Sequence, residues 1–592
     1  MKDHTIYFPT FLDFRGRIYP TPNYLSYQSN DLARSLLLFS NLLSDSKHAE
    51  KNYYSEVLYT ILSENSNKKI KANSNKIKKD KIVKTTVKQT LTALDNHKDM
   101  DMYLIDYFKL YLANVFGKNK LTRKGKIKWF DHNINIILEK FKNDFSVFKL
   151  EYVAISKEPF QFVACVQAYY NYIHYKNDIK VPILFDASCS GIQHLSALTT
   201  DLNIAKLVNL LDNDEPSDFY QYCLDQLAEV FKFIPDDGKL KSFKDKVLQL
   251  NLNRSWLKHS IMTIPYNVTD IGISDKLSKH FNKIFVTNTQ LDELNNGKIS
   301  LIDTIKKYES DILAKKTDKE NKEKGTYIYI PNSNILSGNT KNNPNMSQLF
   351  FTSSELLTFS HYIKTTVLNI IPPFTQLKNY FDNMIDILKK LELPIFWETP
   401  AGMSVSMSNR VMKSKQIKTS IIKKAKPINI LLPTDQIDYK NIKTGLMPNF
   451  IHSLDASNIH ILIKNILKYL PKQKINLYTI HDCFASDYKN IGLIELLVKH
   501  SFIELYFKKN YLETIHNSFI QQISAEIDIY TEESPENKNL SYFYIAKSKK
   551  KGMIPLGKEY ERINIPILPD YGWKINKKVI QQELLFNSYF IS

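Results

Sequence analysis

Cysteine is scarce in this chain of 592 residues: Cys165, Cys189, Cys223 and Cys483 lie far apart and show neither metal-ligand spacing nor a paired framework. That excludes a zinc ribbon or a disulfide-stapled scaffold and points to a reducing compartment. Long hydrophobic runs are missing too; none approaches the length needed to cross a bilayer, so no membrane partner is expected. The opening MKDHTIYFPTF lacks the apolar stretch of a signal peptide and the Arg- and Ser-rich pattern of an organellar presequence. The expectation is a protein made where it works, or one whose true N-terminus lies further upstream. Acidic residues are the last shortage: 61 Asp and Glu stand against 80 Lys and Arg, a formal net charge of +19.

What the chain has in quantity is apolar, aromatic and basic residues. At 592 residues and 43% hydrophobic content it is too long for one core and able to fill two or more. The positive balance favours a polyanionic partner, and 12% aromatic residues add rings on which bases can stack. Abundant Lys, Asn and Ile also follow from AT-rich coding, so charge alone makes nucleic acid only the first candidate. Composition marks two interruptions. Residues 65–84, NSNKKIKANSNKIKKDKIVK, hold too few apolar side chains to bury a face, and the polar stretch over about 287–348 reads as a second insertion with helical and disordered parts.

Chemistry concentrates in a few stretches. In VPILFDASCSGIQHLSAL (181–198) a short apolar strand ends on Asp186; Ile192, Leu195 and Leu198 then recur at helical spacing, with Ser188 or Ser190 available as a cap. An acid has no packing reason to end a buried strand, although an aspartate capping a helix start has the same pattern. In RSWLKHSIMTIPY (254–266), Arg254, Lys258 and Met262 share one helix face. Two cations there suit a triphosphate and Tyr266 at the helix end suits a sugar or base, while an ordinary solvated face has the same spacing. Over Ile475–Ala485 a hairpin delivers His481 and Asp482 to its turn, so an acid again ends a buried strand. If Asp186 and Asp482 share a sheet, they can bind two Mg²⁺ ions roughly 3.5–4 Å apart, the arrangement for in-line phosphoryl or nucleotidyl transfer. DFRGRIYP (13–20) sets Arg15 and Arg17 around a glycine, either a phosphate contact or a solvated turn. Helices are expected over Ser156–Tyr175, with Pro159 in the first turn, and over Ser217–Phe231. Lysines 413, 415, 418, 423, 424 and 426 mark a basic hairpin within 411–444.

Taken in order, DFRGRIYP (13–20), KEPFQFVACVQAYY (157–170), FDASCSGIQHLSAL (185–198), RSWLKHSIMTIPY (254–266), GLMPNFIHSLDAS (445–457) and TIHDCF (479–484) resemble the motifs of the single-subunit, bacteriophage-type DNA-directed RNA polymerases, including mitochondrial and mitochondrial-plasmid enzymes. The resemblance implies an α+β right-hand fold. Its palm, with an antiparallel sheet, would occupy 1–205, interrupted by a polar insertion at about 62–100, and resume with a C-terminal extension at 448–592. Mostly helical fingers would occupy 206–447, and the 411–444 hairpin would stand where the family reads promoters.

The implied activity is template-dependent RNA synthesis from NTPs. Asp186, Lys258 and Asp482 would be catalytic; two Mg²⁺ ions would sit on Asp186, the Ala187 carbonyl and Asp482. Arg254, Lys258, Met262, Tyr266 and His452 would surround the nucleotide, and Arg15, Arg17 and His481 the nucleic acid. The implied partners are a DNA template, the RNA product and NTPs. Family members carry a thumb and an N-terminal domain before the DFRGR motif, so a separately encoded part or a transcription factor is expected to supply them. The implied location is the mitochondrion, with the coding sequence in the organelle or on an organellar plasmid. Asn267, His259 and Cys483 depart from the usual glycine, arginine and serine without removing an implied metal ligand or triphosphate contact. Two other readings share these residues: a related DNA polymerase, against which His452 and the His-Asp-Cys pattern argue, and a catalytically silent remnant that only binds nucleic acid.

Overall fold

In the computed structural model the described residues are 4–40, 57–58, 60–62, 64, 104–236, 238–313, 324–332, 349–417, 428–471, 475–533, 539–546 and 560–591. They form an α+β structure in two units, one of Met1–Ser217 with Tyr380–Ser592 and one of Asp218–Asn379. The polar run 65–84 lies outside the described residues, and of the expected 62–100 insertion only Leu62 and Glu64 are described.

The first unit opens with a short hairpin, β1 (Thr10–Leu12) and β2 (Ile18–Pro20), that holds the Arg-Gly-Arg turn. The Asp13 carboxylate organises this turn by accepting from the backbone N–H groups of Arg15 and Arg17 at 2.9 and 3.0 Å. Gly16 has φ +90°, a conformation that demands glycine, whereas the 2.9 Å approach of an added Cβ to Met403 Sδ is one that a flexible side chain could relieve. The helix expected from Ser156 begins at Pro159 and runs to Tyr175. Its first N–H groups are satisfied from outside: the Asp31 carboxylate accepts from Phe160 and Gln161 at 2.8 and 3.1 Å. Phe162, Cys165 and Val166 are buried beside the Leu104–Phe116 and Arg123–Asn143 helices. Strand β3 (Ile183–Asp186) is buried until its last residue, and the Ser190–Thr199 helix follows. Neither Ser188 nor Ser190 caps that helix; the N-cap is Cys189 at φ 137°, with no side-chain cap bond.

In the second unit, the Phe219–Lys232 helix buries Phe219, Cys223 and Leu227 as its periodicity requires, with Phe231 rather than Val230 completing the face. It packs on the Arg254–Met262 and Ser353–Ile370 helices. Strands β4 (Phe281–Thr287), β5 (Gly325–Pro331) and β6 (Phe351–Thr352) form an antiparallel sheet. Ile284, Val286, Leu294, Leu301, Ile328 and Phe350 form a buried cluster there. The described parts of 287–348 thus help build a small core instead of lying outside one; 314–323 and 333–348 are outside the described residues.

The first unit resumes with two hairpins. β7 (Ile395–Glu398) pairs with β8 (Ser404–Met407), and β9 (Arg410–Ile417) pairs with β10 (Ile428–Ile437). The second carries Lys413 and Lys415; Lys418, Lys423, Lys424 and Lys426 lie outside the described residues. It stops short of residue 444, because Tyr439 already begins a helix that runs to Tyr469. That long helix packs on the Ile491–Phe507 helix, which is buried along almost its whole length. Within the same unit, buried Glu495 joins the latter helix to Arg123 of the Arg123–Asn143 helix and also pairs with Lys499 one turn on in its own helix, each at 2.7 Å.

Between these helices lie β11 (Tyr478–Ile480) and β12 (Cys483–Ser486), the expected hairpin with His481 and Asp482 at its turn. β12 also pairs with β3, giving an antiparallel sheet in the order β11–β12–β3. β12 is buried along its length, and Phe484 and Phe185, directly opposite, are both core residues. A second three-stranded sheet, β13 (Tyr530–Glu533), β14 (Asn539–Ala546) and β15 (Tyr560–Asn564), follows near the C-terminus. No helix among the described residues is long and apolar enough to cross a membrane.

Candidate active site

The register of the central sheet brings the two strand-end acids together. Asp186 pairs with Cys483, the residue after Asp482, and the Ala187 N–H donates to the Asp482 carbonyl at 3.1 Å. Asp186 is exposed and Asp482 half-buried, so the first carboxylate faces solvent more than its neighbour does. Burial raises the Asp482 carboxyl above its usual range; a hydrogen bond with Ser190 opposes this, and the charge of Asp186 adds to the rise. Burial likewise pushes the Cys483 thiol up, with the Asp186 charge adding to it. The turn after β3 is braced by residues near the C-terminus. Ser188 Oγ donates to the Tyr589 carbonyl at 2.8 Å, Gln193 Nε2 to the Phe590 carbonyl at 3.2 Å, and Ala187 pairs with Ile591.

A concave pocket beside these acids is lined by Ala187, Ser190, His194, Asp455, His481 and Asp482, among others. Arg17 reaches Asp455 from the hairpin β1–β2, donating from Nε at 3.2 Å and also from Nη2. Burial nonetheless lifts Asp455 to about 6, against the Arg17 hydrogen bonds and charge. Arg15 pairs with Asp13 at 2.5 Å, and its Nη1 lies 2.9 Å from His452 Nδ1. Burial first, then the charges of Arg17 and Arg15, lower His452 to about 3 and His481 to about 4, so both rings are neutral at pH 7. His481 takes a left-handed φ of 54°, and its ring meets Tyr19 edge-on at 5.1 Å. The structure therefore assembles Asp186, Ala187, His481 and Asp482 with Arg15, Arg17 and His452.

Arg254, Lys258, Met262 and Tyr266 belong to the second unit. Asn253 caps their helix by accepting from the Ser255 N–H at 3.0 Å, while Trp256, Leu257, Ser260 and Ile261 bury the opposite face. Arg254 and Lys258 both approach the Tyr220 ring, at 5.3 and 5.5 Å from its centroid, and Arg254 Nε pairs with Asp218 Oδ2 at 2.6 Å. The α-helix stops at Met262; a 3₁₀ turn containing Pro265 then carries Tyr266. Asn267 has φ 60°, a left-handed conformation that asparagine adopts more readily than most non-glycine residues, which suits asparagine to that position.

Sequence reasoning missed Asp455, Ser190, Asp218 and Tyr220. Asp455 carried a usable signal: it stands three residues after His452 in a helical pattern, an acid among Phe450, Ile451, Leu454 and Ala456. The pattern around Ser190 suggests only a helix cap, and nothing local distinguishes Asp218 or Tyr220.

A model of the DNA-dependent RNA polymerase family matches residues 98–565. The chain is similar to a "Probable DNA-directed RNA polymerase" of Agaricus bitorquis, 32% identical over 100% of this chain and 45% of that protein. It is likewise similar to a "Probable DNA-directed RNA polymerase" of Neurospora crassa, 28% identical over 100% and 53%. With the "DNA-directed RNA polymerase, mitochondrial" of Schizosaccharomyces pombe it shares 23% identity over 98% and 40%. The chain spans about half the length of the curated relatives it matches.

Proposed function

This chain belongs to the DNA-dependent RNA polymerase family, and from that premise we propose that it carries the nucleotidyl-transfer centre of a template-dependent RNA polymerase. The observation that carries the reading is the pairing of β3 with β12, which sets Asp186 and Asp482 side by side at one end of a buried sheet. In this reading the sheet β11–β12–β3 belongs to the palm of a right-hand fold, built from 1–205 and 448–592, and 206–447 are the fingers. The hairpin β9–β10 takes the promoter-reading position.

The donors fit Mg²⁺. Two carboxylates and the Ala187 carbonyl are hard oxygen ligands, and the repulsion that helps raise Asp482 is what a cation would relieve. Bound there, a pair of ions would supply Lewis-acid charge to the attacking and leaving oxygens. In the reaction the RNA 3′-hydroxyl attacks the α-phosphate of an NTP, a new phosphodiester forms, and pyrophosphate leaves.

Arg254 and Lys258 would take the triphosphate oxygens, the phosphates replacing Asp218 at Arg254; Lys258 would pass its proton to the departing pyrophosphate. Met262 would pack beside the nucleotide, and Tyr266 with neutral His452 would read the ribose 2′-hydroxyl. Arg15 and His481 would face the template–product hybrid, with Arg17 steadying that surface through Asp455. The partners in this reading are a DNA template, RNA and NTPs. The names of the relatives favour the mitochondrion, and an organellar or plasmid gene fits this assignment.

The test is Mg²⁺-dependent extension of an RNA primer on a DNA template. Incorporation is expected from NTPs and its loss from Asp482→Asn; extension that survives this substitution overturns the assignment.

A further inference from the structure

The sheet β13–β14–β15 presents a second surface. Phe543 on β14 and Ile563 directly opposite on β15 are buried, so alternate residues of these strands point to the other face. On that face Tyr530 is 50% and Tyr544 42% exposed, with Tyr542 between them. The ring centroids lie 5.8 Å apart for Tyr530 and Tyr542, 6.0 Å for Tyr530 and Tyr544, and 5.7 Å for Tyr542 and Tyr544. The Arg562 guanidinium sits 3.8 Å over the Tyr542 ring, fixed by Glu532 at 2.7 Å and by Asn564 Oδ1 at 3.1 Å. Tyr560, 55% exposed, continues the face two residues before Arg562.

We propose that this face is a stacking platform for single-stranded RNA. Tyr530, Tyr544 and Tyr560 expose ring surface on one side of a twisted sheet, beside a Tyr542 ring already covered by Arg562, and an unpaired base is the ligand with a free face to lay on them; bases in a duplex already cover one another. Charge is complementary along the chain: residues 547–559, which join β14 to β15, carry Lys547, Lys549, Lys550, Lys551 and Lys558 against a single acid, Glu559. Those residues lie outside the described structure and form no part of the site. The choice of RNA rests on the proposed activity, whose product leaves as a single strand; the platform is a surface separate from the chemistry of that site.

The experiment uses the full chain and a single-stranded RNA of about 12 nucleotides carrying 4-thiouridine, within the usual span of a single-strand site. Photocrosslinked peptides are mapped, and affinity is read by fluorescence anisotropy. Adducts are expected on the strands β13–β15. The pair Tyr530→Ser and Tyr544→Ser should remove them and weaken binding roughly tenfold, while Tyr544→Phe, which keeps the ring, should leave both intact. Adducts confined to other parts of the chain, unchanged affinity in the double serine variant, or equal crosslinking of single-stranded DNA carrying 4-thiothymidine would overturn the proposal. Single-nucleotide addition on a preassembled primer–template should be unchanged in the double variant. Its absence from the native chain would count against the proposed function and leave crosslinks at the sheet to be judged separately.

Discussion

The stabilising role of Arg17 can be measured through its buried partner. The guanidinium donates twice to Asp455, which is 4% exposed, so Arg17→Ala strands a carboxylate in the protein. Removing one member of a buried pair costs about 3–5 kcal/mol. The charge has an escape, however. Burial already lifts Asp455 to about 6 in the native chain, and losing the opposing Arg17 lifts it further, so protonation relieves the variant as pH falls. An acid whose folded pKa is raised stabilises most below its unfolded value, here 3.8, and loses that contribution as pH rises through the folded value. That loss is complete just above pH 6 in the native chain but continues to higher pH in the variant. The penalty of Arg17→Ala should therefore be smaller at pH 6 and grow towards pH 8 by at most about 1.4 kcal/mol per unit. Differential scanning calorimetry at the two pH values reads this directly. At pH 8 a drop of several degrees is expected, since about 1 kcal/mol moves the melting temperature by about 2–4 °C in a domain of 150–250 residues and by less in a larger one. Adding Asp455→Asn should recover the pH-dependent part. A penalty that is the same at both pH values, or a double variant with the pH dependence of Arg17→Ala alone, refutes the reasoning.

Other substitutions separate the remaining roles. Lys258→Ala should lower the rate of nucleotide addition by about 10²–10⁴ if the ammonium protonates pyrophosphate, and the high-pH limb of the rate profile should vanish with it; a fall in NTP affinity alone would leave Lys258 a binding group. Tyr266→Phe should reduce the preference for ribonucleotides over deoxyribonucleotides by roughly tenfold, the worth of one good hydrogen bond, as measured by competitive incorporation. Glu495→Gln should destabilise the first unit by about 3–5 kcal/mol, because Arg123 and Lys499 would then be buried without their carboxylate. Burial raises the Glu495 carboxyl, but Arg123 and Lys499 outweigh it and hold it below 4.5. Its stabilisation is therefore full above pH 4.5 and lost as pH falls through the lower folded value, so acid titration of the melting temperature should separate native and Gln forms only above that window.

Legibility in the sequence followed the range of the interaction. β3 with its terminal acid, the hairpin β11–β12 and the Arg254–Met262 helix could be read because alternation, turn position and 3.6-residue spacing are local properties. The edges of those readings slipped where a distant group intervened. Ser188 left the helix cap for the Tyr589 carbonyl, and Ser190 turned to Asp482. The core of the second unit was hidden for a similar reason: Ile284, Ile328 and Phe350 are separated by polar chain, and no short window contains enough of them to reveal a buried face.

By itself, then, the sequence determined which residues end strands, which share a helix face, and where acid and cation are available for chemistry. Only the tertiary structure decided that β12 pairs with β3 in the register that joins Asp186 to Asp482, that Arg17 is committed to Asp455, and that four tyrosines share the open face of β13–β15. The physical reason is that local propensity selects an element, whereas its neighbours are chosen by closing backbone hydrogen bonds and burying apolar faces across the whole chain, a competition no single stretch contains.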